Sequence, residues 1–439
     1  MTDRQLRLIV NMQPSGVHQG AWMAPGANKR AFIDLDNYRD VARLAERGLM
    51  DAVFLADFAA LQPETSRQPR WTLDPMVVLS ALAGVTDHVG LVCSLSTTLS
   101  DPYHVARVVA SLDHVSRGRA GWNVVTSFDP NSARNYGLAD LPAKADRYRR
   151  AGEFVEVVRG LWGGWEPDAL TLDPQSRTFV DTTKVHPVDH SGEFFSVAGP
   201  LQVPTPPQRQ PVLFQAGGSD AGRDLAAREA DAVFAAQLSP ESARAYRDDL
   251  RQRAVELGRS ADDVRLFPGV LVVVGETREE ALAQRAALDD LVGGAPARLR
   301  TLEHFLGLEE GTLKPDEPLP EAARTGGGAG TVEGFRQAVL SFFDTPGRTV
   351  GDFLREGSVG HRTLLGDPVE VADDLQAWLE EEAADGFVLM FDSLPSGLER
   401  FVDLVVPELQ RRGIFRTAYD DDPRLRARLG LRDVGAAHG

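Results

Sequence analysis

Residues able to do chemistry in this sequence gather where short apolar runs give way to polar ones. Asp57 directly follows the apolar run Ala52–Ala56, and a carboxylate there cannot stay inside a sheet uncompensated. It belongs at a rim, bonded to loop amides or to a ligand, or else it caps a helix. Ser94, Ser96, Thr97 and Thr98 end the run Val89–Leu95, and Asn123, Thr126 and Ser127 end another that begins at Gly118. Such hydroxyls and amides suit the edge of a polar ligand, although exposed Ser and Thr loops are common. Gly217, Gly218, Ser219, Asp220, Ala221, Gly222 and Arg223 follow the run Pro211–Ala216 and open a helix. Small residues there let backbone amides approach an anion at the positive helix end, which contributes roughly 0.3 to 2 kcal/mol. A loop that merely needs positive φ fits the same residues, and the glycine spacing does not match the dinucleotide fingerprint.

His18 and Trp22 lie in Gln13–Lys29, a stretch too long and too polar for a simple connector. A loop anchored by a buried Trp, with His at the surface, fits these residue types equally. His186 and His190 sit among Asp181, Asp189 and Glu193, but the Pro-Val-Asp between them lacks the rigid spacing of a helical metal pair. No Gly-x-Ser-x-Gly elbow, Gly-Lys-Ser/Thr phosphate loop or helical zinc pair occurs, so the usual hydrolase, nucleotidase and zinc-protease signals are missing.

The elements that must position these residues alternate along the chain. Apolar strands are expected at Leu6–Met12, Ala52–Ala56, Val89–Leu95, near Gly121, and at Pro211–Ala216, Ala230–Ala235, Leu266–Val274 and Gly386–Phe391. Helical spacing falls between them, as in Asp36–Gly48, Pro75–Ala83, Val105–Val115, Lys144–Trp162, Pro240–Leu257, Arg278–Val292 and Val369–Ala384. Eight such units favour an α/β fold of the (β/α)8 TIM-barrel type, one domain over 1–439, rather than a doubly wound sheet. Asp-Ala-Val-Phe occurs both at Asp51–Phe54 and at Asp231–Phe234, so one strand opening recurs. Residues 166–211, rich in Pro, Asp, Thr and Gly, read as an insertion near the pocket mouth. Residues 293–330, with few apolar anchors and the run Gly326–Gly328, read as a mobile lid or a disordered insertion, and 405–439 as a helical extension.

The 439 residues are 43% hydrophobic and 25% charged, as in a soluble globular protein. A net charge of -17 argues against nucleic acid or an anionic membrane as partner. The lone cysteine, Cys93, excludes an intramolecular disulfide and lies in an apolar run, as a small core residue would. No signal-peptide core or membrane span is present, so a cytoplasmic enzyme is expected.

Gly118–Ser127, reading Gly-Arg-Ala-Gly-Trp-Asn-Val-Val-Thr-Ser, resembles the fourth-strand signature of the bacterial-luciferase-like flavin monooxygenases, in the subgroup of nitrilotriacetate, dibenzothiophene-sulfone and long-chain alkane monooxygenases. The similarity extends through His18–Trp22, Leu55–Phe58, Asn123–Trp162, Gln215–Phe234 and Val405–Leu431. It implies a luciferase-like barrel that binds reduced FMN, whose ring hydroperoxide, formed with O2, passes one oxygen atom to a small organic substrate. It places Asp57 under the flavin ring, Ser94 at the ring edge, and Tyr148 and Ser219 at the phosphate or ribose. Lys144 stands where the family usually has histidine; an ammonium still neutralises a phosphate as a point charge. His18 is implied to orient substrate or manage a proton, Asn123 to face the ring, and Trp22, Phe58 and Phe128 to wall the pocket, with Trp122 either wall or core. A separate NAD(P)H:flavin reductase is the implied partner, and a dimer or tetramer the implied assembly. Two alternatives remain at this level: a deazaflavin F420 oxidoreductase, or a flavin-binding protein without turnover. No arginine clamp for a polyacid stands out, so the substrate stays open.

Overall fold

Aspartate or serine followed by proline opens five of the helices. Asp74-Pro75, Asp101-Pro102, Asp129-Pro130, Ser239-Pro240 and Asp367-Pro368 each place a side-chain oxygen on first-turn amides and a residue without an amide proton just inside the helix. The computed structural model describes residues 5–61, 69, 73–325, 333–358 and 360–434.

Eight parallel strands close on themselves: β1 Leu8–Asn11, β2 Ala52–Leu55, β3 Gly90–Ser96, β4 Ala120–Val125, β5 Val212–Gln215, β6 Ala232–Ala235, β7 Arg265–Val274 and β8 Phe387–Phe391. Each pairs with its sequence neighbours, and β8 returns to β1 through Leu8 opposite Phe387. With helices between the strands, this is the (β/α)8 TIM barrel expected. A further strand, His361–Gly366, lies along Val270–Val274 of β7, beyond the point where β6 ends, and has no counterpart in the sequence reading.

Inward side chains stack in tiers drawn from alternate strands. Ile9, Val92, Phe214 and Phe267 make an apolar tier; Phe54, Asn123, Phe234 and Val388 make the next; Asn11, Ser94 and Gly269 belong to the one above, toward the carboxyl ends. Beneath, Leu425, Leu429 and Leu431 from the tail fill the amino-terminal mouth. Gly90 admits this plug, since a Cβ there would lie 2.6 Å from the Leu425 side chain.

The recurring aspartate acquires a structural meaning at this end. The carboxylates of Asp51, Asp231 and Asp385, standing just ahead of β2, β6 and β8, accept backbone N–H groups of Leu8, Leu213 and Leu266 at 2.6, 2.9 and 2.8 Å. Each also meets arginine: Arg416 on Asp51, Arg426 on Asp231, and Arg247 with Arg251 on Asp385. Burial pushes the carboxyl pKa of Asp231 and Asp385 up, but the arginines outweigh it and hold both below the ordinary carboxylate range.

Within 166–211, two short hairpins, Leu170–Asp173 with Thr178–Val180 and His190–Ser191 with Ser196–Val197, project from the barrel. Glu153 pins the second one by accepting the amides of Phe194 and Phe195 and meeting His190 at 3.0 Å. The stretch from 293 differs from the irregular chain expected. Gly294–Leu306 and Ala322–Thr325 are helical and share with Glu333–Phe342 and Val350–Glu356 an apolar cluster that includes Leu302, Leu306, Val339 and Phe353. Its Gly and Pro lie mainly between helices, which hid the helical spacing on either side. Residues 326–330, with the Gly326–Gly328 run, and residues 435–439 of the extension fall outside the described residues. Among the described residues no helix is long and apolar enough to cross a membrane.

Replacing Asp231 with Ala removes the acceptor for Leu213 and strands buried Arg426, and is expected to cost about 3 to 5 kcal/mol in urea unfolding. Because the folded pKa values of Asp231 and Asp385 are depressed, their stabilisation is complete above the ordinary carboxylate pKa of about 4 and is lost as pH falls through the lower folded values. Unfolding of the Asp231→Ala protein should therefore depend less on pH between about 4 and 2 than that of the parent.

Candidate active site at the carboxyl ends of the strands

Parallel strands all point their carboxyl ends the same way, so residues on the loops that follow them share one face. That face receives His18 and Trp22 after β1, Asp57 and Phe58 after β2, Ser94 within β3, Asn123 and Phe128 at and after β4, Lys144 and Tyr148 on the helix Lys144–Trp162, and Ser219 after β5. Local geometry resolves them into a floor, a rim, an anion cradle and a separate ionic cluster.

The floor is polar and buried. Ser94, Asn123 and Asn11 are 1%, 3% and 6% exposed. Asn123 Nδ2 donates to Ser94 Oγ at 2.8 Å, whereas Oδ1 of Asn123 and Oδ1 of Asn11 are buried with no hydrogen-bond partner. His361, which the sequence reading passed over, enters this layer from the additional strand. Its ring stacks on Phe234 at 5.4 Å and 12°, and Gly269 has no Cβ because one would lie 2.3 Å from the imidazole. Burial drives the His361 pKa down to about 4, against a hydrogen bond with the Gly269 backbone, so the ring is neutral near pH 7. A lone His after Gly-Ser-Val-Gly carries no motif by which it could have been found.

At the rim, Phe58 and Phe128 meet edge to face with centroids 6.2 Å apart and an interplanar angle of 89°. They remain 37% and 46% exposed, an unusual outlay of aromatic surface to water for a pair already in contact. Asn135 Nδ2 donates to the Ala59 carbonyl at 2.8 Å and ties the two loops together. Asp57 opens to solvent beside them; desolvation by the surrounding chain, then repulsion from Asp74, raises its carboxyl pKa, while the Phe58 amide opposes the shift. Trp22 is half-buried in the short turn Ala21–Met23. Trp122 points outward from the barrel, packs on Phe154 and Trp162 and donates to the Leu95 carbonyl, which makes it core rather than pocket wall. Cys93 is likewise core, its thiol pushed up to about 12 by burial.

The cradle follows β5. Ser219 caps the helix Asp220–Glu229 by accepting the Gly222 amide. Gly217 folds so closely over that first turn that a Cβ would fall 2.9 Å from Gly222 Cα and 2.3 Å from Gln215 Nε2. Gln215 accepts the Gly217 amide at 2.7 Å, and the Tyr246 hydroxyl donates to the Gly217 carbonyl at 3.0 Å. Tyr148 lies close enough to Tyr246 to influence its titration, and its helix packs beside Asp220–Glu229, so Tyr148 and Ser219 share a neighbourhood. Lys144 starts the same helix, exposed to solvent.

His18 stands in the ionic cluster. Its Nδ1 accepts the Gly20 amide at 3.0 Å, which leaves the ring proton on Nε2, facing Asp289 Oδ1 at 3.1 Å. Both ring nitrogens are therefore engaged within the protein. Burial alone would raise the pKa of Asp289, but the His18 hydrogen bond and the charges of Arg285 and Arg298 bring it below the ordinary range. Asp392, bonded to Arg285 at 3.0 Å, goes the other way because burial outweighs that arginine. The loop holding His18 is pressed into place: a Cβ on Gly16 would lie 2.3 Å from the Asp392 carbonyl, and one on Gly20 2.6 Å from that of Leu288. Asp289, Arg285, Arg298 and Asp392 escaped the sequence reading because nothing local marks charges that meet from three elements. His18→Ala should leave the Gly20 amide and Oδ1 of Asp289 unmatched and cost about 1 to 3 kcal/mol of stability, with His18→Asn recovering part of it through its Oδ1, as read by thermal and urea melts.

Against known proteins, residues 11–386 match the family model described as luciferase-like monooxygenase. The chain is 39% identical to N-acetyl-S-(2-succino)cysteine monooxygenase of Bacillus subtilis (strain 168) and 40% identical to nitrilotriacetate monooxygenase component A of Aminobacter aminovorans, in each case over 98% of this chain and 97% of the other. Among solved structures, a riboflavin lyase with a modified FMN and riboflavin superposes with a TM-score of 0.83 at 33% identity, covering 98% of this chain and 97% of that one. Full-length similarity of this kind, on the barrel described above, makes the chain a member of the luciferase-like monooxygenase family.

Proposed function

We propose that this flavin-dependent monooxygenase uses reduced FMN, delivered by a separate NAD(P)H:flavin reductase, to insert one atom of O2 into a small organic substrate. The observation that carries the reading is the pairing of an anion cradle at Gly217–Gly222 with a buried polar floor that has unmatched acceptors, on one face of one barrel. Those residues fit a ligand with a phosphate at one end and a flat, hydrogen-bonding ring at the other. FMN, when bound, supplies the oxygen activation that side chains lack.

The chain's own residues then bind, orient and exclude water. Ser219 and the amides of its helix hold the phosphate, with Lys144 and Tyr148 on the facing helix as a cation and a hydroxyl. Asn123 and Ser94 on the floor, and Asp57 on the β2 loop, would hold and orient the ring. Phe58, Phe128 and Trp22 cover the mouth with apolar surface, which keeps bulk water from the reacting atoms. His18, its proton fixed on Nε2 by the Gly20 amide, sets the shape of the wall that carries Trp22. The helices Gly294–Leu306 and Val350–Glu356 are linked to this wall through Arg298, which bonds both Asp289 and the Leu354 carbonyl, as a lid over the mouth would be. Assembly into a dimer or tetramer accompanies the reading. Both sequence relatives named above are monooxygenases, which favours oxygen transfer over F420-dependent hydride transfer and over flavin carriage without turnover.

Incubation with FMN, a generic flavin reductase, NADH and 18O2 should yield, for a member of a panel led by nitrilotriacetate and N-acetyl-S-(2-succino)cysteine, a product with a single labelled oxygen. Hydrogen peroxide as the sole outcome across alkanes, sulfones, amines and polycarboxylates would sink the proposal. Gly217→Ala, whose new Cβ would collide with Gln215 and Gly222, is expected to weaken FMN binding on the order of 10-fold in a fluorescence titration.

A further inference from the structure

The loop after β5 is held by its backbone, and one of its peptide planes is set from a helix outside the barrel. Gly217 has both backbone groups committed: its amide donates to Gln215 Oε1 at 2.7 Å, and its carbonyl accepts the Tyr246 hydroxyl at 3.0 Å. Tyr246 stands on the helix Pro240–Glu256, is 4% exposed, and reaches the loop from its packed side. The bond between Gly217 and Gly218 is trans, so the plane that carries the Gly217 carbonyl carries the Gly218 N–H in the opposite direction. A carbonyl drawn inward to Tyr246 therefore turns that N–H toward the open side of the loop. Among the described residues neither it nor the Ser219 amide has an acceptor.

Tyr246 is itself locked. The Arg223 guanidinium lies 4.7 Å from its ring centroid and bonds Asp249 at 3.0 Å. Arg253 joins the same Asp249 at 2.9 Å, reaches Asp220 at 2.7 Å and meets Asp224, which ties the helix opened by Ser219 to the helix that carries Tyr246. Burial pushes the pKa of the Tyr246 hydroxyl up, against the pull of Arg223, so the group keeps the proton it donates. We infer that Tyr246 is a positioning residue that makes the site selective for a phosphorylated flavin: by holding the Gly217 carbonyl it aims the Gly218 amide at an anion that it never touches. The inference rests on the flavin reading above and adds to it a residue behind the cradle. A hydrogen bond from an amide to a charged oxygen is roughly twice as strong as one between neutral groups. A flavin without a phosphate gains nothing from that amide, so Tyr246 separates FMN from riboflavin rather than flavins from other rings.

Titration of the whole chain with FMN and with riboflavin, followed by flavin fluorescence, tests this. The parent should bind FMN tighter than riboflavin by at least about 10-fold. Tyr246→Phe keeps the ring under Arg223 and removes only the hydroxyl; it should weaken FMN on the order of 10-fold and leave riboflavin unchanged. Gly218→Pro removes the amide proton itself and should narrow the ratio to the same degree. The double variant should narrow it no further, because both changes take away one contact. Circular dichroism checks each fold, and Gly218→Pro reads the same amide from the other side of the bond should Tyr246→Phe not fold. A folded variant that loses affinity for both ligands alike or for neither, a further loss in the double variant, or a parent indifferent to the phosphate overturns the inference while leaving flavin binding intact. A parent that binds neither ligand removes the flavin reading and this inference together.

Discussion

The carboxylates of Asp51, Asp231 and Asp385, each caught between a neighbouring strand's amide and an arginine, are the constraint on which the rest of the barrel depends. Side chains on a strand alternate between its two faces, so a slip of one residue exchanges everything that points inward for everything that points outward. A carboxylate that binds the first amides of the adjacent strand fixes register at its origin. With β1, β5 and β7 held in this way, Asn11 and Phe214 face the interior while Val10 and Gln215 face the helices. Ionic contacts at one end of the barrel thus decide which groups meet a ligand at the other.

Between those ends the interior grades from apolar to polar. Aromatic rings from Phe54, Phe214, Phe234 and Phe267 pack through the middle at 5.7 to 6.5 Å, Phe54 edge to face with Phe214 and Phe234, and Phe214 tilted against Phe267. Above them the available volume goes to Asn, Ser and Gly, residues that stabilise a core poorly and leave room. Two unmatched amide oxygens at this depth cost on the order of 1 to 3 kcal/mol each, which the apolar tiers beneath must offset. Close backbone approaches supply the rest of the shape: Gly217 on Gly222 at the cradle, Gly16 and Gly20 under the His18 loop.

Most of the barrel was legible because its signals are local. Each of the eight apolar runs became a strand, with ends shifted by a residue or two, and the polar exits at Asp57, Ser94, Asn123 and Ser219 were visible as changes of residue type. The second Asp-Ala-Val-Phe proved to be a repeated clamp, though its arginine partners, at 416 and 426, lie in sequence far from what they hold. Distance also hid the His18 cluster, assembled from residues 18, 285, 289, 298 and 392, and the role of His361, which depends on a glycine in β7 and a phenylalanine in β6. Between 293 and 325, abundant Gly and Pro between short helices outweighed the Leu spacing within them, so a packed unit read as irregular chain. A π-helical turn at Phe401–Val405 similarly leaves no mark in residue types.

The tail that stoppers the barrel bears on how this protein is made. Ribosomes release a chain from its amino end, and Leu425, Leu429 and Leu431 emerge only after all eight strands are out. Until then the lower mouth at Gly90 and Gly121 stays open, and Asp231 awaits Arg426. Between the release of β8 and that of the tail the barrel therefore lacks its stopper, the kind of species chaperones engage. A stall or nonsense codon between residues 392 and 424 would yield a product with every strand and every residue of the candidate site, yet without its bung.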